Sequence, residues 1–187
     1  DDLKIFNCAF DQSQVDSLFQ DTTGITISPC TQGYWPFEGN IRDTSGYGNH
    51  GTFHGAPQLT LDRNGNPNGA YEFDGVDDYI HTNATYEFEQ RTGLVWFYPY
   101  EVNAKPVVFI QDANWLNYGA FNVSIHADGS LRSRAGNTGG TIIYPNLTPN
   151  EWYHVAIVRR PDSCFYYVNG VQTATSFASS GGSFSQA

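Results

Sequence analysis

The sequence predicts an all-β fold, an antiparallel β-sandwich with one short helix near the N-terminus, and three observations predict it. Strand-length runs recur at close spacing: "GAYEFDG", "DYIHT", "GLVWFYPY", "PVVFIQ", "GAFNVSIH", "TIIYP", "WYHVAIVRR" and "CFYYVNGVQTA". Each is bounded by Gly, Pro, Asn or Asp, and several alternate apolar with polar residues, the period of a strand with one face buried. Asn169-Gly170 and Asp128-Gly129 sit between such runs, as hairpin turns that need positive φ would require. Only residues 12 to 19 carry a convincing helical period. Roughly ten or more strands without interleaved helices favour an antiparallel sandwich over a parallel α/β sheet.

Taken in order, the chain opens with "DDLKIFNCAFDQSQVDSLFQ": an acidic pair, a strand-like run and a compact helix. Asp11 can cap that helix, Gln14 stands at the reciprocal position, and Val15, Leu18 and Phe19 form one apolar stripe. Residues 21 to 33, "DTTGITISPCTQG", read as a linker that extends about 30 Å or more, enough to cross a small sandwich. Residues 34 to 187 hold the remaining strands. In "GAYEFDG", Ala70 and Glu72 point one way and Tyr71 and Phe73 the other. Cys8 follows the first strand and Cys30 precedes the strand near Tyr34. A Cys8–Cys30 bond is therefore expected, closing about 22 residues and contributing roughly 3 kcal/mol. Free thiols at both positions, or a bond to Cys164, are the alternatives.

Composition narrows the function. The chain has 187 residues, enough for one sizeable core, and its 40% apolar and 16% aromatic content excludes general disorder. The 19 Gly and 9 Pro fit a chain that turns often. A formal charge of −10 with only 9 Lys and Arg argues against nucleic acid and against an anionic membrane, since phosphate affinity comes from cations. Acidic loops suit a hard cation such as calcium better. No run approaches the roughly 18 apolar residues of a membrane span, so no membrane insertion is expected, and no leader is visible at the N-terminus. Three cysteines without CxxC spacing give no support to zinc. Asn83-Ala-Thr85, Asn122-Val-Ser124 and Asn146-Leu-Thr148 match a glycosylation triplet that is frequent by chance.

Three blocks, "GYWPFEGNIRDTSGYGNHGTFHGA", "NGAYEFDGVDDYIHT" and "EWYHVAIVRRPDSCFYYVNGV", resemble the laminin-G-like, concanavalin A-like lectin/glucanase jelly-roll family, in that family's order and over residues 34 to 175. The resemblance implies a jelly-roll sandwich in secreted or cell-surface proteins. It also implies that such a domain closes with an acidic pair, a strand, a polar turn and a short helix. "DDLKIFNCAFDQSQVDSLF" is similar to that ending, yet stands first. Two readings stay open: residues 1 to 20 are the tail of a preceding repeat, or they supply the closing strand of this sandwich or, by strand exchange, of a neighbouring repeat or molecule. An unpaired edge would invite aggregation, which favours filling the gap.

The loop "NIRDTSGYGNHG" offers Asp43, Asn40, Asn49 and backbone carbonyls among glycines, a donor set of the kind calcium takes; the plain alternative is that they only shape turns. The resemblance implies a structural calcium where the loop acid meets the acidic pair, which would bring in Asp2. Asp77 and Asp78 are reserve ligands that more simply shape the start of a strand. His50 and His54 are four apart, but "GNHGTFHG" cannot hold the helix that zinc would need. His154 alternates with core residues and reads as structural. Glu87 and Glu89 share a strand face, but the Glu-x-Asp-x-x-Glu pattern of laminarinase-like glycosidases is absent, as are a nucleophile elbow and a phosphate loop. The chain therefore reads as a non-enzyme.

Trp35, Trp96 and Trp152 are assigned to the core because their blocks match the family's buried positions. Trp115 differs: it lies in the polar run "QDANWLNYG", with Asn117 and Tyr118 as flanking hydrogen-bonding groups, and reads either as a glycan contact or as a hydrophobic plug. Arg132 and Arg134 add donors on one strand face or merely solvate it. The expectation is a secreted or cell-surface module that binds a carbohydrate or another cell-surface partner, with a structural calcium. The alternative is a spacer repeat without a ligand.

Overall fold

The computed structural model describes residues 1–20, 29–82, 89–102, 107–111, 121–134, 141–179 and 183–186. The main sheet contains β1 (Leu3–Phe6), β2 (Thr31–Trp35), β7 (Arg91–Phe97), β12 (Tyr153–Arg159), β13 (Ser163–Val168), β14 (Val171–Ser179) and β15 (Ser183–Gln186) in the order β15-β14-β13-β12-β7-β1-β2. The facing sheet contains β8 (Val107–Gln111), β9 (Phe121–Ile125), β10 (Leu131–Arg134) and β11 (Thr141–Tyr144) in the order β11-β10-β9-β8. Two ribbons join β3 (Gly51–His54) to β6 (Tyr79–Thr82) and β4 (Gln58–Thr60) to β5 (Ala70–Glu72). Every pairing is antiparallel. The architecture is the β-sandwich that the alternation predicts.

The inner face of the seven-stranded sheet carries Ile5, Trp35, Val95, Val155, Ile157, Tyr166 and Val168, which pack against Val123, Ile125, Leu131 and Ile143 of the other sheet. The alternate residues of the same strands, Phe6, Leu94, Ala156, Val158 and Tyr167, turn to the outer face and form a second core with Phe10 and Val15. That outer face is covered by α1 (Gln12–Gln20). Both faces of the central strands are therefore buried, which is why "WYHVAIV" reads as an almost continuous apolar run.

The opening segment lies inside this sheet, with β1 antiparallel to β2 on one side and to β7 on the other. Burying Phe6, Phe10 and Val15 contributes on the order of 6 kcal/mol by transfer from water. Residues 31–33, which the sequence places in the linker, are instead the start of β2. A Cys8–Cys30 disulfide ties the segment just beyond β1 to the start of β2, while Cys164 is free and buried. Burial pushes the Cys164 thiol up to about 11.

The local signals act as expected. The Gln14 amide donates to the Asp11 carboxylate and the Asp11 amide donates to Gln14 Oε1, both at 2.9 Å, a reciprocal cap. Asn169 and Gly170 adopt φ of 49° and 78° between β13 and β14. At Asp128-Gly129 only Gly129 has positive φ, and the turn is longer: the His126 amide bonds the Ser130 carbonyl while Asp128 Oδ1 accepts from the Ser130 amide. The run "GLVWFYPY" leaves the ladder after Phe97, where Pro99 has no N–H to continue it.

Candidate functional site

Asp43 is held in the loop between β2 and β3 and is 6% exposed. Its Oδ1 accepts from the amides of Tyr34 and Ser45 at 3.0 and 2.9 Å, and its Oδ2 from the Asn49 amide at 2.9 Å. The Asp43 amide in turn donates to His50 Nδ1 at 3.1 Å. Burial alone would raise the Asp43 carboxyl, but hydrogen bonds from Ser45, Tyr34 and Asn49 outweigh it and hold it below its ordinary value. Asn49 is engaged through its main chain and its side-chain nitrogen: its carbonyl accepts from Trp35 Nε1 and its side-chain amide nitrogen donates to the Gln32 carbonyl. Asn40 closes a local turn, accepting from the Arg42 amide and donating to the Glu38 carbonyl.

Asp2 stands in a different setting. It is 6% exposed and shares its Oδ2 between Arg63 Nη2 at 2.9 Å and Lys4 Nζ at 3.4 Å. Arg63 also pairs with Asp1 and lies over the Trp96 ring at 5.0 Å, while Lys4 lies over Tyr34 at 4.8 Å. Burial, with the Asp2 charge and a hydrogen bond donated to Asp2 behind it, pushes the Tyr34 hydroxyl well up. Tyr34 thus meets Asp2 at its hydroxyl end and Asp43 at its backbone amide.

Calcium needs several free hard oxygens about one point. Here Asp43 accepts three backbone amides, Asn40 is turned to backbone partners, and Asp2 carries two cations at the far end of Tyr34 from Asp43. As arranged, the set Asp43, Asn40, Asn49 and Asp2 does not fit the ion. The reserve ligands lie with Asp74: Asp74, Asp77 and Asp78 bring carboxylate oxygens within 4.8 Å of one another. Asp74 Oδ1 accepts the turn's own Val76 amide at 2.8 Å, and Asp78 accepts the Asp74 amide at 3.0 Å and, from the segment after β3, the Ala56 amide at 2.6 Å. That is the turn-shaping role the sequence also allows.

His154 is a buried strand residue, as its alternation suggests, and it is wedged between Trp96 at 5.0 Å and Phe19 at 5.7 Å. Neither ring nitrogen has a hydrogen-bond partner among the described residues. Burial, with Lys4 and Arg63 adding repulsion, lowers its value to about 3. Beside it, α1 and the β13–β14 turn leave an open cleft of about 370 Å³ lined by Gln12, Asp16, Phe19, Asn169 and Gln172. His54 is not near a metal partner set; it stacks on Tyr79 at 4.2 Å across the β3–β6 ribbon. Arg132 pairs with Asp128 and donates to Ser130 Oγ.

The tryptophans divide differently from the sequence expectation. Trp35 is 0% exposed and belongs to the inner core. Trp96 and Trp152 are half-buried on the outer side, which corrects their assignment to the core. The expected ligand contacts Trp115, Asn117 and Tyr118 lie outside the described residues, as does Glu87, while Glu89 is exposed. Sequence reasoning passed over Arg63; a lone arginine in "LDRNGN" carries no spacing signal, and only the insertion of β1 between β2 and β7 gives it an acidic pair.

The model of the concanavalin A-like lectin/glucanases superfamily matches residues 73–186. None of the curated proteins matches. A solved structure with a similar fold is domain 4 of AbnA, a GH43 extracellular arabinanase from Geobacillus stearothermophilus, in complex with arabinotriose. The two share 17% identity over 75% of this chain and 72% of that one, with a TM-score of 0.56, a likeness of fold alone.

Proposed function

The chain belongs to the concanavalin A-like lectin/glucanase superfamily, and on that footing we propose that it is a non-catalytic carbohydrate-binding module that works outside the cell. Family membership over residues 73–186 is the observation that carries the reading. Support comes from the sandwich shared with an arabinanase domain that holds arabinotriose, and from a charge of −10 that turns the chain away from polyanions. The missing Glu-x-Asp-x-x-Glu pattern favours binding over hydrolysis. Trp115, flanked by Asn117 and Tyr118, is the proposed contact, because an indole face packs on the C–H face of a sugar while neighbouring polar groups reach its hydroxyls. Calcium is no part of this proposal, since Asp2 and Asp43 are already engaged and stand at opposite ends of Tyr34.

The test is a glycan array followed by titration calorimetry on the best sugars, with Trp115→Ala alongside. Binding of neutral glycans without release of reducing ends is expected, weakened in the variant. A folded chain that binds none of them is a spacer, and a chain that cleaves them is an enzyme; either result overturns the reading.

A further inference from the structure

We propose that Tyr98, Tyr100 and Trp152 form a stacking site for a neutral, soluble oligosaccharide, an inference that rests on the glycan-binding reading above. Strand register brings the residues together. β7 and β12 pair with Tyr153 opposite Phe97, and those two rings stack at 5.6 Å with Tyr153 in the inner core. One residue after Phe97 and one before Tyr153, alternation turns Tyr98 and Trp152 to the opposite side, where their rings meet at 5.4 Å. Tyr100 adds a third ring 5.3 Å from Tyr98. Among the described residues neither hydrophobic core recruits any of the three. Tyr98 and Trp152 are half-buried and Tyr100 is 52% exposed.

The site is built rather than loose. The Asn150 amide donates to the Pro99 carbonyl at 2.8 Å, tying the two connections that carry the rings, and Pro99 itself is buried. Thr60 and the Glu72 carboxylate lie beside the Tyr100 hydroxyl, so polar groups border the aromatic surface.

Ring geometry and charge choose the occupant. The rings are tilted by 57° and 73°, which makes walls meeting at an angle rather than a plane, so the site fits a twisted free chain and not a flat crystalline surface. The Glu72 carboxylate lies beside Tyr100 and acts on it electrostatically, whereas Glu151 turns to accept from the Tyr153 hydroxyl at 3.3 Å. A carboxylate at the rim, in a chain of net charge −10, repels uronic, sulfated and phosphorylated ligands while accepting hydrogen bonds from neutral hydroxyls.

The intact chain is titrated with arabinotriose, xylotriose, cellotriose and trigalacturonate, by calorimetry and by indole emission. At least one neutral trisaccharide is expected to bind and to shift the emission, with trigalacturonate weaker. Tyr100→Ala, an exposed position that leaves the fold intact, is expected to weaken binding about fivefold and Trp152→Ala about tenfold, with Trp152→Phe between Trp152→Ala and the unaltered chain. Undiminished binding in Tyr100→Ala and Trp152→Ala, with loss only in Trp115→Ala, overturns this site and leaves the glycan reading standing. A folded chain that binds none of the sugars overturns both, and self-association abolished by Tyr100→Ala would then assign the rings to a second copy.

Discussion

Acid should destabilise this domain through His154, beginning well above the pH at which its carboxylates protonate. The imidazole is fully buried between Trp96 and Phe19, has no hydrogen-bond partner for either nitrogen among the described residues, and shares its surroundings with Lys4 and Arg63. Burial first, then those cations, lower its value from 6.5 to about 3. A depressed histidine disfavours the protonated form in the folded state, so between pH 6.5 and 3 the unfolded chain holds the extra proton and stability falls as pH falls. Each pH unit in that window costs about 1.4 kcal/mol, so at pH 4.5 the loss from this one group is about 2.7 kcal/mol. For a chain of this size that corresponds to a drop of about 5–10 °C in melting temperature. The assay is a set of thermal melts from pH 7.5 to 4.5 on the native chain and on His154→Leu, which keeps an apolar side chain of similar bulk against both rings. The native chain should lose stability steadily below pH 6.5, and the variant should lose it only as the carboxylates titrate. Parallel curves for the two would refute the reasoning, because the acid sensitivity would then belong to other groups.

Other outcomes follow from the same structure. Under denaturing, non-reducing conditions one thiol, Cys164, should react; reducing Cys8–Cys30 should lower stability by about 3 kcal/mol, and a titre of three thiols would contradict the bond. Gly170→Ala should cost about 1–2 kcal/mol in a denaturant melt, because φ is 78° and the new methyl would stand 3.0 Å from the Phe19 ring; a neutral result would mean that α1 is not seated on the β13–β14 turn. Asp43→Ala should remove the cap on three backbone amides and cost about 2–4 kcal/mol by the same measure. Melts in calcium and in chelator should coincide; a calcium-dependent rise lost in Asp43→Ala would show that this carboxylate takes a metal after all.

What was legible in the sequence is what short-range rules govern. Asp11 with Gln14, and Asn169 with Gly170, are set by neighbours two to four residues away, so the helix start and the hairpin could be read from spacing. Period-two alternation likewise separates Val155 and Ile157 from Ala156 and Val158. What escaped reading is what distant partners decide. Asp43 shows a hard oxygen, but not that amides from positions 34, 45 and 49 occupy it. Asp2 looks like a cation ligand, and it is one; the cations are Arg63 and Lys4, reached only because β1 enters the sheet between β2 and β7. Trp152 shows the finest margin. Its strand block reads as core, and its neighbour Tyr153 is core, yet a one-residue step along a strand reverses the face. The pairing of Phe97 with Tyr153 therefore sends Trp152 outward onto Tyr98. An aromatic residue in a sandwich strand is assigned to core or surface by its register partner and not by its own identity, and so a ring proposed to stack on a sugar sits beside one that the core buries.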